Sequence, residues 1–137
     1  MTARFVVDNS VVMSWCFEDE ESELGERALD LLADGEALAP AVWALEAANA
    51  LLSAERRKRL AAGDSLRFVE LLRSLPVRVQ PDPVPRVLGD VLALGRATGL
   101  SAYDASYLHL ALRRDLPLAT LDGPLIAAAR EIGVELL

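Results

Sequence analysis

A chain of 137 residues, 53% of them hydrophobic, has the length and composition of one globular domain able to bury a substantial core. No stretch approaches the roughly 20 apolar residues of a membrane span, and the first residues run directly into a strand-like segment without a charged and then apolar leader. A cytoplasmic protein with no membrane partner is therefore expected. The lone cysteine, Cys16, excludes an intrachain disulfide and an all-cysteine zinc site, and 14 basic against 21 acidic residues, a net charge of −7, argue against a protein that grips nucleic acid through a broad positive surface.

Arg4 to Val7 is a short β-branched and aromatic run ending at Asp8, which predicts a buried strand. A helix follows over 22–33, where Leu24, Ala28, Leu31 and Leu32 recur at helical spacing and the acidic run Glu18 to Glu23 suits the positive helix start. A second strand over 37–39 stops at Pro40, and a long helix rich in Ala, Leu, Glu and Arg runs from about Val42 to Arg59. Gly63 and Asp64 separate it from a helix over 65–75. A third strand covers 77–79, and the stiff Pro81-Asp82-Pro83-Val84-Pro85 segment leads a helix over 86–98 that stops at Gly99. Ser101 opens a helix to about Arg114. A strand over 116–120 ends near Asp122, a helix runs through Arg130 to a stop at Gly133, and a last strand covers 134–136. Strands alternating with helices predict right-handed crossovers and a mainly parallel sheet with helices on both faces. No internal repeat or long linker is present.

Ligands gather beyond the carboxyl ends of the strands in open α/β sheets, and Asp8 and Asp122 both stand at such ends. Each acid also has a structural explanation. Asp8 could shape a turn or cap a helix, and Asp122, in Leu-Asp-Gly-Pro-Leu, could be the N-cap of the final helix. Glu46 could be a solvent-facing helix former, although Asn49, Ser53 and Arg56 share its stripe. Asp104 could complete a capping box with Ser101. Brought together, however, four carboxylates repel unless protonated or bound to cations. Hard oxygen ligands favour Mg²⁺, with Mn²⁺ as substitute, and such an ion suits phosphodiester cleavage. Committing four acids to cations shrinks the charge excess by more than half.

The ordered set Val6-Val7-Asp8-Asn9-Ser10, Glu46-Ala47-Ala48-Asn49, Leu100-Ser101-Ala102-Tyr103-Asp104-Ala105-Ser106-Tyr107-Leu108 and Thr120-Leu121-Asp122 resembles the PIN-domain family over nearly the whole chain, specifically VapC-type toxins of bacterial toxin-antitoxin pairs. The resemblance implies a three-layer α/β/α fold with a short, mainly parallel sheet. It also implies Mg²⁺-dependent endoribonuclease activity on RNA, a homodimer, and inhibition by a small cognate VapB-like antitoxin. Carried over by residue, Asp8, Glu46, Asp104 and Asp122 would be the metal-binding quartet, with Ser10, Asn49 and Thr120 supporting it by hydrogen bonds. Some relatives carry a further acid just after the fourth; here Gly123 and Pro124 stand there, so one-metal and two-metal chemistry both stay open.

Arg56, Arg57, Lys58 and Arg59 close the helix that carries Glu46. Cations there complement the helix dipole, and Arg56, on the Glu46 stripe, is the candidate for tracking RNA phosphates. His109, the one histidine, lies among apolar residues and reads as core or dimer edge. A Ser-His-Asp hydrolase is set aside for want of a Gly-x-Ser-x-Gly elbow. Two alternatives remain: an RNA-processing nuclease of the same fold outside any toxin pair, and a non-catalytic or receiver-like signalling domain. The latter is disfavoured because Lys58, the only lysine, is far from any strand end.

Overall fold

Phe5, Val6 and Val7 are all fully buried, as in a strand covered on both faces, where alternation of polar and apolar side chains has no place. The computed structural model, which describes residues 2–137, makes this segment strand β1 (Arg4–Val7) of a sheet with β2 (Glu36–Pro40), β3 (Val77–Gln80) and β4 (Leu118–Ala119). Every pairing is parallel and the order is β3-β2-β1-β4, with helices on both faces, as the alternation of elements predicts. The chain adds β2 and β3 on one side of β1 and then returns to its other side with β4. That reversal opens a crevice beyond the carboxyl ends of β1 and β4. Val6 is level with Leu118, and the Asp8 N–H donates to the Ala119 carbonyl at 3.0 Å, so the two strands deliver their next residues side by side.

The helices are α1 (Asn9–Ser14), α2 (Glu23–Leu31), α3 (Val42–Arg56), α4 (Ala62–Ser74), α5 (Val84–Arg86), α6 (Leu92–Thr98), α7 (Ala102–Arg114) and α8 (Gly123–Ile132), with a π turn (Val87–Val91) joining α5 to α6. One group packs α1 against α2 and α3, while α7 lies against β1, β2 and β4 beside α6 and α8. Fully buried Tyr107, Leu108 and Leu110 carry α7 into the common core.

Four local expectations change. The segment Asn9–Ser14, to which no element is assigned from the sequence, forms a helix; Val11 and Val12 are poor helix formers, and burial of four consecutive residues, Val11 to Ser14, overrides that preference. The acidic run largely precedes α2, forming a 3₁₀ turn over Glu18–Glu20, and Ser22 caps α2 by accepting from the Gly25 N–H at 2.9 Å. Helix α3 ends at Arg56 instead of Arg59: Lys58 takes a left-handed conformation (φ 57°), and the Arg59 N–H turns back to the Ala54 carbonyl. The last strand over 134–136 reduces to one parallel bridge between Leu136 and Leu118, because β4 offers only two residues to pair with. No helix among the described residues is long and apolar enough to cross a membrane.

Candidate active site

Asp8 leaves β1 in an extended conformation (φ −86°, ψ 155°) and holds the N-cap position of α1, yet its side chain makes no capping bond. Oδ2 instead accepts from Ser10 Oγ at 2.6 Å and from Thr120 Oγ1 at 2.8 Å. Ser10 belongs to α1 and Thr120 follows β4, so hydroxyls from both sides of the crevice grip one carboxylate oxygen. Each hydroxyl is oriented in turn. The Leu121 N–H donates to Ser10 Oγ at 2.9 Å and the Asp122 N–H to Thr120 Oγ1 at 3.0 Å, which leaves the hydroxyl protons for Asp8. Asp8 is 5% exposed and Thr120 3%. A buried carboxylate needs such charge-assisted bonds.

Asp122 caps α8: its Oδ2 accepts from the Leu125 N–H at 3.0 Å, with Pro124 in the first turn, so the structural role weighed for it is real and occupies one oxygen. Asp104 sits in the first turn of α7, where Ser101 Oγ accepts from its N–H at 3.1 Å. The reciprocal bond from the Asp104 carboxylate to the Ser101 N–H is not formed, so only half of the capping box exists, and the Ser101 hydroxyl favours the charged form of the Asp104 carboxyl. Glu46 is half-buried near the start of α3, and its Oε1 accepts from the Tyr107 hydroxyl at 2.6 Å. Tyr107 is fully buried and was not among the expected site residues. Its signal was available: it lies three residues beyond Asp104 on one helix, hence on the same side, and a buried tyrosine hydroxyl needs a partner.

The four acids share one electrostatic field. Burial pushes the Glu46 carboxyl above the ordinary carboxylate range, the Tyr107 hydrogen bond opposes that rise, and the charges of Asp8 and Asp104 reinforce it. Burial likewise raises Asp104, with Asp8 and Asp122 adding to the effect. Burial and the bond to Glu46 raise the Tyr107 phenol, which therefore stays a proton donor throughout the neutral range.

The other expected residues divide. Ser10 and Thr120 join the acids directly. Asn49 lies on the exposed face of α3 beside Glu46, without a side-chain hydrogen bond to any acid among the described residues. Arg56 is exposed and pairs with no carboxylate among the described residues, whereas Arg59 is committed to Asp19 (2.7 Å) and Glu20 (3.1 Å) and lies over the Phe17 ring at 4.0 Å. Ten residues of helix put Arg56 about 15 Å along the axis from Glu46.

As they stand, no three acidic, histidine or cysteine side chains among the described residues are gathered closely enough to chelate an ion. The donor set nonetheless fits a hard divalent cation. All four groups are carboxylates, and the bonds that fix Asp8, Glu46 and Asp122 each engage a single oxygen. Repulsion among the four would be relieved by positive charge.

The PIN domain family model matches residues 5–131. Ribonuclease VapC3 of Pyrobaculum aerophilum is 32% identical over 119 residues, 87% of this chain and 89% of that protein. The crystal structure of PAE2754 from Pyrobaculum aerophilum superposes with a TM-score of 0.68 at 26% identity, covering 93% of this chain and 87% of the other. That of FitAcB from Neisseria gonorrhoeae superposes with a TM-score of 0.62 at 17% identity, covering 97% and 96%, a likeness of fold.

Proposed function

The chain belongs to the PIN domain family, and on that premise we propose that it is a Mg²⁺-dependent endoribonuclease, the toxin of a toxin-antitoxin pair. What supports the reading is that Asp8, Glu46, Asp104 and Asp122, carried by four separate elements, act on one another's charge, Asp8 and Asp104 on Glu46 and Asp8 and Asp122 on Asp104, with Asp8 oriented by Ser10 and Thr120. Asp8, Glu46, Asp104 and Asp122 would hold the cation, Mg²⁺ or in its place Mn²⁺. When bound, it supplies a water of lowered pKa and offsets charge on the scissile phosphate. The chain's own part is orientation. Ser10 and Thr120 hold Asp8 Oδ2, leaving its other oxygen for the ion, and Tyr107 does the same for Glu46. Arg56 would meet a phosphate farther along the strand. Attack by water without use of the RNA 2′-hydroxyl leaves a 5′-phosphate and a 3′-hydroxyl.

Two surfaces support the partners of this reading. A groove of about 770 Å³ between α3 and α4, lined by Trp43, Ala47, Leu51, Leu66 and Val69, suits the apolar face of a small antitoxin's helix. The Trp43 Nε1 is buried there without a hydrogen-bond partner among the described residues. Val84, Leu88 and Leu92, exposed at 69%, 67% and 46%, leave a stripe that a second copy would cover in a homodimer. The test compares RNA cleavage by wild type and Asp8→Asn, with Mg²⁺ and with chelator, and identifies the product ends. Cleavage by wild type alone, abolished by chelator, is expected. Equal cleavage by the variant, indifference to chelator, or a 2′,3′-cyclic phosphate would overturn the reading.

A further inference from the structure

Beside Glu46 a concavity of about 560 Å³ opens between α3 and α7. Its floor is α3, through Val42, Leu45, Ala48, Asn49 and Leu52, and its wall is Tyr103, the residue immediately before Asp104. Two features set it apart from ordinary surface. Leu45 is 72% exposed and Tyr103 61%, so a leucine and an aromatic ring stand in water at the lip of an acidic site. Asn49 is exposed in the same hollow, its amide unengaged by any acid among the described residues. A ligand that satisfies this combination has a flat apolar face, an edge carrying donors and acceptors, and a covalent link to a phosphate at the neighbouring acids.

We propose that this hollow is the subsite for an unpaired nucleobase adjacent to the scissile phosphate, with Tyr103 as stacking platform and Asn49 as reader of the base edge. The inference rests on the nuclease reading above and adds the place and the side chains that would hold a base of the substrate. Bases in a duplex are stacked on each other and cannot present a face to Tyr103, whereas splayed bases in loops stack on aromatic side chains and expose their hydrogen-bonding edges. Charge supplies an independent reason. Even with the four site acids committed to cations, the remaining acidic residues outnumber the 14 basic ones, so phosphate attraction is weak and the hold on RNA draws on contacts that do not depend on positive charge. Stacking on an exposed ring beside the site is such a contact, and an amide is a bidentate partner for a base edge. Leu45 would cover the part of the base that Tyr103 does not.

The test separates binding from chemistry. The affinity of a short single-stranded RNA is measured on the cleavage-deficient Asp8→Asn background, with and without Tyr103→Ala, and again with an abasic nucleotide next to the cleavage position. Tyr103→Ala is expected to weaken binding by about 5- to 150-fold. Tyr103→Trp should restore it. The abasic RNA should lose the same factor on the protein that keeps Tyr103 but nothing further on the Tyr103→Ala variant. In the cleaving protein the change should appear in KM, with Mn²⁺ affinity unmoved. Unchanged affinity in Tyr103→Ala would overturn the subsite. Losses from the ring and from the base that simply multiply would do so too, as would a Tyr103→Ala protein that changes only its sedimentation as an oligomer. If wild type cleaves RNA while any of these holds, the subsite alone fails; if wild type neither binds nor cleaves RNA, the nuclease reading fails with it.

Discussion

Tyr107→Phe removes one hydroxyl from a fully buried side chain and leaves the ring to fill the same space, so it isolates the 2.6 Å bond to Glu46. Hydrogen bonds to charged groups contribute about 1.5–3 kcal/mol. Glu46 is only half-buried, so water replaces part of the lost partner and the lower end, about 1.5 kcal/mol, is expected. For a chain of this size that lowers Tm by roughly 4–7 °C. The effect on function should be larger, because groups that orient a metal ligand typically carry about 10- to 100-fold in metal affinity or activity. The sign of a pH effect also follows. The Tyr107 bond favours the charged form of Glu46 and opposes the rise caused by burial and by Asp8 and Asp104. Without it Glu46 keeps its proton to higher pH, so the acidic limb of the cleavage rate moves upward. Thermal melts in chelator, calorimetric Mn²⁺ titration and a pH-rate profile measure the three effects. Leu108→Ala, also in the core of α7, serves as a control that lowers Tm without moving the limb. A Tyr107→Phe protein that melts lower but keeps its Mn²⁺ affinity and its acidic limb would show the phenol to be packing alone.

Thr120→Val keeps the shape of a buried side chain, deprives Asp8 of a donor and leaves the Asp122 N–H unpaired; denaturant unfolding should register a loss of about 2 kcal/mol, with cleavage reduced in parallel. Asp122→Asn keeps an acceptor for the Leu125 N–H, so its Tm should hold while cleavage falls, whereas Asp122→Ala should also lose about 1 kcal/mol of cap energy. Metal-free stability should depend on pH through Glu46 and Asp104. Both carboxyls are raised in the fold, so their contribution is fully present below the ordinary carboxylate range and is lost as pH rises through the raised values. Urea unfolding in chelator should therefore show a decline that Glu46→Gln/Asp104→Asn flattens and that saturating Mn²⁺ cancels. Persistence of the full decline in that double variant would assign it to other groups.

The framework of the sheet was readable from the residues themselves. Apolar runs ending at Asp8, Pro40 and the Thr120 region located β1, β2 and β4, and the alternation with helices implied parallel pairing. What could not be read was set by tertiary context. Helix α1 runs against the preference of Val11 and Val12, and only their burial reveals why. The π turn at Val87–Val91 interrupts a pattern that reads as continuous helix, and the left-handed turn at Lys58, which detaches Arg59 from the basic cluster, has no marker such as glycine. At the site, Ser10 and Thr120 were reached through the family resemblance, and each lies two residues from an acid. Tyr107 shares a side of its helix with Asp104, but its partner Glu46, 61 residues away on a different helix, could not be assigned from the sequence. Asn49 lies beside Glu46 as expected, but it lines the hollow next to Tyr103 without a side-chain hydrogen bond to any acid among the described residues.

A structural bond and a free donor oxygen are compatible in one acid, because a carboxylate has two oxygens. Asp122 gives one to the N-terminus of α8, Asp8 gives one to two hydroxyls and Glu46 gives one to a phenol. These bonds fix the orientation of side chains that would otherwise swing away from one another, and they come from the neighbouring elements that the sheet order supplies. Thr120 reaches Asp8 only because β4 pairs in parallel with β1 at matched height, with Ala119 accepting from the Asp8 N–H. Shifting β4 by one residue would turn Thr120 to the opposite face and leave Asp8 buried with a single donor. The acidic site is thus a property of the β1/β4 register more than of any one acid, and for that reason the acids, weighed singly in the sequence, each look structural.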